Sequence, residues 1–339
     1  MVNGVTFFMK FMKQNKWRRL LEYAAFRCLI AGIWILPVRL QRVLAWSLAT
    51  LMCRVLPKKW TRYDIAFENI RQSFGDEFSD GKIDQTIFGM WQHLLRMVCE
   101  MVQFPRKVSC NNIYDVVQFR NKSKVIQTLC SGRPVIMLSG HFGNWEMSVA
   151  TFGMFGFPMG VVARTLDNPY LDHWFRRFRE STGHVMIDKK GGGTEMQDRL
   201  SNDQHLALLA DQDAGRRGVF VDFFGRPGST YKSIAILAMR YDALVCVGYS
   251  IRLPDDAHSS KWVKYELGCE AVLDPRDYTS RDSIREMTQD YTTALEQAVR
   301  LAPEQYFWVH RRWKTPQPEK KKAKQERTKA SDDSLRRAG

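Results

Sequence analysis

The stretch Pro134-Val135-Ile136-Met137-Leu138-Ser139-Gly140-His141-Phe142-Gly143-Asn144-Trp145-Glu146 decides how this chain reads. An apolar run closes at Leu138, a glycine follows at 140, and His141 then stands five positions before Glu146. The run reads as a buried strand and 145–151 as the start of a helix, so His141 lies in a strand-to-helix turn. The first N–H groups of a helix are free at such a turn. Positions five apart on one ideal helix point about 140° away from each other. His141 and Glu146 therefore meet only if the histidine sits in the turn and the glutamate in the first helical turns. In that geometry the carboxylate accepts a hydrogen bond from one ring nitrogen, and the other nitrogen becomes the working end of a general base. The alternative is a capping histidine beside a helix-start glutamate. The bare H-x4-E spacing does not separate the two.

Outward from this turn the pattern alternates. Strands are expected at 135–138, 160–163, 185–187, 206–209 and 244–250. Helices are expected at 122–130, 145–153, 169–182, 194–202 and 231–240. Apolar strands separated by helices indicate an α/β fold with a mostly parallel central sheet flanked by helices. A further strand at 265–273, a long helix at 282–301 and an aromatic segment at 306–313 close it. Before the sheet, 63–74 and 79–104 read as helices, with Ser79 a plausible N-cap. Ile83, Ile87, Trp91, Leu94, Leu95, Val98 and Met101 form a core stripe at helical spacing. Glu100 lies inside that stripe and needs a partner if it is buried.

The net charge of +15 is unevenly placed. Residues 1–62 hold 12 Lys/Arg against one Glu, residues 316–339 hold 8 basic against 4 acidic, and 63–315 is neutral with 31 of each. A nucleic-acid reader more often carries its charge on the folded module. Basic charge beside apolar helices fits an anionic membrane surface. Two uncharged 11-residue runs, 28–38 and 43–53, are each shorter than the roughly 20 residues that span a bilayer. With flanking arginines and Trp17, Trp34, Trp46 and Trp60, they read as membrane-associated helices at the interface. A spanning helix near 20–36 and plain core helices are the other readings. Three regions result: membrane-associated helices at 1–62, a catalytic body at 63–315 and a basic disordered tail at 316–339. The 45% hydrophobic content excludes global disorder. Seven scattered cysteines with no C-x-x-C exclude a disulfide framework and suit a reducing compartment. The early apolar residues are broken by Lys10, Lys13 and Lys16, so no secretory signal is expected.

In a parallel sheet, ligands bind at the carboxyl ends of the strands. Arg164, Asn168 and the pair Asp211 and Asp213 follow expected strands there, as His141 does. Arg164 suits a phosphate or an oxyanion, or an ion pair with Asp167. Asp211 and Asp213 could hold a metal with His141, polarise a group or cap a loop. Lys189-Lys190-Gly191-Gly192-Gly193 lacks the order of a nucleotide loop but suits an anionic substrate, as does Gly215-Arg216-Arg217-Gly218. No G-x-S-x-G is present. The strip 306–314 could stack bases, meet headgroups or close the core, and its alternation favours the core, with Arg311, Arg312 and Lys314 at a rim.

Taken together, His141-Phe-Gly-Asn-Trp-Glu146, Arg164 with Asn168-Pro169, Asp211-Gln212-Asp213, Phe223-Phe224-Gly225 and the block from Pro303 to Lys314 resemble the late acyltransferases of lipid A biosynthesis. These are the lauroyl and myristoyl transferases of the lysophospholipid-acyltransferase-like superfamily. The resemblance, over about residues 20–315, implies transfer of a fatty acyl chain from acyl carrier protein to a hydroxyl of a lipid A precursor. It implies His141 as general base and Glu146 as its orienter. Arg164 would bind the oxyanion or a phosphate, with Asn168 and Asp211 in support. It also implies no metal, no cofactor beyond the acyl carrier protein thioester, no nucleic acid, contact with membrane phospholipid, and a place on the cytoplasmic face of the inner membrane. The rival readings are transfer of an acyl or aminoacyl group to another glycolipid or amino lipid, and a membrane-tethered nucleic-acid-binding module.

Overall fold

The computed structural model describes residues 2–255 and 262–318, with side chains from residue 16 onward. The expected tail falls outside the described residues from 319 on. The described residues form twelve α-helices: α1 (Val2–Ile35), α2 (Val38–Thr50), α3 (Lys58–Thr61), α4 (Tyr63–Phe74), α5 (Asp80–Lys107), α6 (Ile113–Val116), α7 (Lys122–Leu129), α8 (Trp145–Met154), α9 (Pro169–Glu180), α10 (Gly193–Ser201), α11 (Ser233–Arg240) and α12 (Ser283–Leu301). The nine strands are β1 (Val117–Phe119), β2 (Val135–Ser139), β3 (Met159–Ala163), β4 (Val185–Asp188), β5 (His205–Leu209), β6 (Val219–Phe223), β7 (Arg226–Thr230), β8 (Leu244–Arg252) and β9 (Tyr265–Leu273).

Seven strands build one sheet in the order β1-β9-β8-β2-β5-β3-β4, and β6 and β7 form a separate hairpin. All neighbours in the large sheet run parallel except β8 and β9. The sheet is therefore mixed and mostly parallel. Its centre is covered on both faces, which is why β2 reads as an unbroken apolar run. The larger core packs α4, α5, α11 and α12 against one face, and a smaller one places α7 near the other. Two strands escape the sequence pattern. β1 has only three residues, and β7 (Arg-Pro-Gly-Ser-Thr) carries no apolar alternation.

The 306–313 segment is not a strand. It touches the turn after β2 by a single bridge, Phe142 to Tyr306, and buries Tyr306, Trp308 and Val309 in the core. Arg312 is not at a rim. It is buried, donating to Ser229 O (2.7 Å) and Thr230 Oγ1 (2.5 Å) at the end of β7.

At the N-terminus, α1 stops before Pro37, because the residue preceding a proline is pushed out of the helical region. Gln103 of α5 then donates to the end carbonyls of α1, at 2.8 Å from Ile33 O and 2.9 Å from Leu36 O. Leu36 N–H also donates to Ile33 O at 3.2 Å and Gln41 Nε2 to Leu36 O at 2.8 Å, so α2 and α5 together hold this end of α1. Trp17, Leu21, Leu29, Leu40, Val43 and Trp46 of α1 and α2 stand exposed. No helix among the described residues is long and apolar enough to cross a membrane.

One glycine is demanded by the turn after β2. Gly143 has φ +58°, and a Cβ there would lie 1.9 Å from Ser250 O. Gly143→Ala should cost roughly 2–5 kcal/mol, the left-handed backbone and the clash adding together. A urea midpoint equal to wild type would contradict this packing.

Candidate active site

Strands β2 and β5 pair with Ser139 opposite Leu209, and Ala210 N–H extends the ladder to Ser139 O at 2.9 Å. Two residues past each strand end stand His141 and Asp211. The register sets them face to face. His141 Nδ1 lies 2.8 Å from Asp211 Oδ1, and the His141 main-chain N–H donates to Oδ2 at 2.8 Å. With Asp211 ionised, Nδ1 carries the hydrogen and Nε2 keeps a lone pair. Nε2 has no hydrogen-bond partner among the described residues. Gly140 makes the approach possible, because a Cβ there would crowd Asp211 Cγ at 3.2 Å.

Burial works against charge on His141, but the Asp211 carboxylate outweighs it and lifts the imidazole above its ordinary value. Burial works against charge on Asp211 too, yet the histidine beside it holds the carboxyl down at about 2. A second histidine, His310, sets its ring 4.7 Å from that of His141. Burial keeps it neutral, with a pKa lowered to about 4. Asn69 of α4 fixes this segment by donating to Trp308 O (2.7 Å) and His310 O (2.9 Å).

A buried polar network holds the turn itself. Glu100 of α5 receives Arg252 Nε at 2.9 Å and Nη2 at 2.5 Å. Arg252 Nη1 donates to His93 Nδ1 at 2.6 Å, and His93 Nε2–H donates to Gly143 O at 3.0 Å. Burial and the adjacent guanidinium keep His93 well below its ordinary value, so it stays neutral and its tautomer is set. Asn144 donates to Tyr265 Oη (2.8 Å) and accepts Met147 N–H (3.0 Å) as the N-cap of α8. The main-chain N–H groups of Gly143 and Asn144 bond to Gln305 O and Ser250 O.

The expected partner of His141 is thus corrected. Asp211, seventy positions away, holds the ring. Glu146 turns to α9, where Arg179 donates to both its oxygens at 2.9 and 2.6 Å. Asn168 is corrected as well. It caps α9 at Tyr170 N–H and donates to Arg19 O and Glu22 of α1, outside the cavity wall. Arg164 reaches the cavity rim, exposed, and pairs with Asp167 at 3.2 Å. Asp213 faces away, binding Gly215 N–H and Thr315, so no His141–Asp211–Asp213 metal set exists. His141, Asp211 and His310 do offer ligand atoms within 4.8 Å of one another. Sequence reading missed His310 as a neighbour of His141. Its only signal was membership of the aromatic-basic block.

His141 opens onto a cavity of about 550 Å³, walled by Trp145, Glu146, Phe175, Arg179 and Tyr231 among others. A smaller apolar cavity of about 80 Å³ branches from it beneath Trp145, Glu146 and Arg179. Val149, Phe152, Met159 and Gly248 also line it. The arrangement offers a base with a free nitrogen beside an apolar recess.

Against known proteins, the family described as bacterial lipid A biosynthesis acyltransferase matches residues 11–315. A phosphatidylinositol mannoside acyltransferase of Mycolicibacterium smegmatis is 33% identical over 105 residues, 29% of this chain and 33% of the relative. A lipid A biosynthesis lauroyltransferase of Escherichia coli is 27% identical over 185 residues, 54% of this chain and 57% of the relative. The chain therefore spans between a third and just over half the length of these curated relatives. The crystal structure of a 1-acyl-sn-glycerophosphate acyltransferase from Thermotoga maritima aligns over 77% of this chain and 97% of its own. At 14% identity and a TM-score of 0.37, that likeness is too remote to define the fold.

Two outcomes follow from the geometry. In Asp211→Asn the charge that raises His141 is gone while its burial remains, so the NMR titration midpoint of the ring should fall below that of wild type. A midpoint that stays or rises would refute the Asp211 assignment. His93→Phe should cost about 1–3 kcal/mol by stranding Gly143 O and Arg252. His93→Gln, able to accept from Arg252 and donate to Gly143 O, should recover most of it. Denaturation midpoints of the two variants decide this, and equal losses would contradict a bridging role.

Proposed function

The chain belongs to the bacterial lipid A biosynthesis acyltransferase family, and from that premise we propose that it transfers a fatty acyl chain from acyl carrier protein to a hydroxyl of a lipid A precursor. The observation that carries the reading is the His141–Asp211 pair, its free Nε2 set at a cavity with an apolar branch. The acceptor hydroxyl gives its proton to Nε2 as its oxygen attacks the thioester carbonyl carbon. Asp211 stabilises the imidazolium that forms, the role a buried carboxylate plays behind a catalytic histidine. The tetrahedral adduct collapses, the carbon–sulfur bond breaks, and the imidazolium returns the proton to the departing thiolate. An ester and the free carrier thiol result, with no covalent enzyme intermediate and no metal or further cofactor in the scheme. Arg164 at the rim is the candidate for a substrate anion. Asn168 acts through α9, holding the cavity wall against α1. Glu146 acts through Arg179, and the pair forms the threshold of the apolar branch, which takes part of the acyl chain.

The exposed indoles and leucines of α1 and α2, among basic side chains, support docking on anionic phospholipid, on the cytoplasmic face of the inner membrane. A second reading has a specific support. The stretch of highest identity to a curated relative quoted above belongs to a phosphatidylinositol mannoside acyltransferase, so another glycolipid is the alternative acceptor. Within the strip weighed for base stacking, Trp308 is 1% exposed and Tyr306 3%, so these two rings pack in the core.

Incubation of the protein with defined acyl carrier protein thioesters and a lipid A precursor, followed by mass spectrometry, tests the proposal. Wild type should form the acylated product, and His141→Ala should lower the rate by about 10²–10⁴-fold with its circular dichroism unchanged. The base must be neutral and its pKa is raised, so activity should climb through a pH above the ordinary histidine value. No transfer to the precursor, or wild-type turnover in His141→Ala, would sink it.

A further inference from the structure

The Lys189-Lys190-Gly191-Gly192-Gly193 stretch has found no role so far. Lys189 follows β4 and extends the ladder by one bond, its N–H donating to Ala163 O at 2.8 Å. It therefore stands on the same strand-end edge as His141, Arg164 and Asp211. The glycines make the tight turn into α10. Gly191 has φ +93°, and a Cβ on Gly192 would lie 2.3 Å from Asp188 O. The stretch is thus a device that fixes a lysine at the cavity wall.

The charges on that wall are unequally matched. Arg179 is taken by Glu146. Arg176 is taken by Asp172 at 2.7 Å and by Asp188. Arg164 leans on exposed Asp167. Lys189 lines the same cavity and has no carboxylate partner among the described residues. Asp188, its neighbour in sequence, is already engaged by Arg176 and by Thr165 Oγ1 at 2.5 Å. Lys189 Nζ instead donates to Tyr231 Oη at 3.1 Å and lies 4.8 Å from that ring's centroid. Its charge is felt at His141, where it opposes protonation of the imidazole. The Tyr231 hydroxyl in turn donates to Asp213 O at 3.5 Å, so the ammonium, with two donors to spare, is the group left for a phosphate oxyanion.

We propose that Lys189, held in place by the Tyr231 hydroxyl, binds a phosphate group of one of the two substrates and so seats that substrate against His141. This rests on the acyl-transfer reading for the identity of the ligand. Two sources present the same chemistry: a phosphate on the acceptor glycolipid, and the phosphodiester of the carrier's pantetheine arm.

Initial rates of wild type, Lys189→Met and Lys189→Arg separate them. The substrates are a phosphorylated acceptor and the same acceptor after phosphatase, each with the carrier thioester or an N-acetylcysteamine thioester that has no phosphate. Lys189→Met should raise one KM about 10- to 100-fold, and Lys189→Arg should recover most of the loss. Disappearance of the defect on the dephosphorylated acceptor assigns the acceptor. Disappearance with the phosphate-free donor assigns the pantetheine arm. A fall in kcat with both KM values unchanged would make Lys189 an oxyanion donor and overturn the proposal. So would no change, or a defect that persists on both phosphate-free substrates. Pyrophosphate titrated into wild type and Lys189→Met, read by phosphorus NMR line broadening, needs no turnover. Broadening by wild type that is lost in the variant is the expected result, and equal broadening overturns the site. Failure of wild type to acylate the precursor would strike the acyl-transfer reading alone, and the pyrophosphate result would still judge Lys189.

Discussion

The structure turns on a register between two buried strands. Ser139 faces Leu209, so the residues two steps beyond each strand end face each other as well. A slip of one residue would send every side chain of β2 to the opposite face of the sheet. The core would then lose its apolar fit, and His141 would lose Asp211. Packing and chemistry are thus held by one constraint. Asp211 is 1% exposed, and a carboxylate so buried is stable only with its hydrogen bonds made. The ring and the main-chain N–H of His141 make two of them, and these contacts hold the Asp211 pKa down against the burial that would raise it.

Beneath the turn, the Glu100–Arg252 pair sits in a similar position. An ion pair buried this deeply gains little net stability over apolar residues of the same size. Its value here is directional. Arg252 fixes the tautomer of His93, which holds Gly143 O, while Tyr265 holds the cap of α8 through Asn144. Each clamp acts on the few peptide groups between the end of β2 and the start of α8. The helix entering the cavity wall and the histidine at its mouth are therefore oriented by one network.

The cavity joins two surfaces of different character. Its branch is apolar and lies against the sheet. Its rim is basic and lies near α9, which packs on α1 through Phe26 and Trp174. A substrate with a hydrocarbon chain and an anionic head meets both requirements.

Much of the architecture is legible in the amino-acid sequence. The unbroken apolar run at 135–138, the glycine after it and the alternation of elements gave a mostly parallel sheet with His141, Arg164 and Asp211 on one edge, because periodicity and turn chemistry are local. The pairing of His141 was misread for the opposite reason. Glu146 is near in sequence, but the first turn of α8 aims it at Arg179. Asn168 looked like part of the site and is a helix cap, since the same side chain serves either purpose. Buried Arg312 and the approach of His310 depend on partners more than fifty residues away. What the amino-acid order determined by itself was which residues stand at strand ends. Which of them touch was decided by tertiary structure, through strand order and register, because those are set by the packing of the whole core and not by any segment within it.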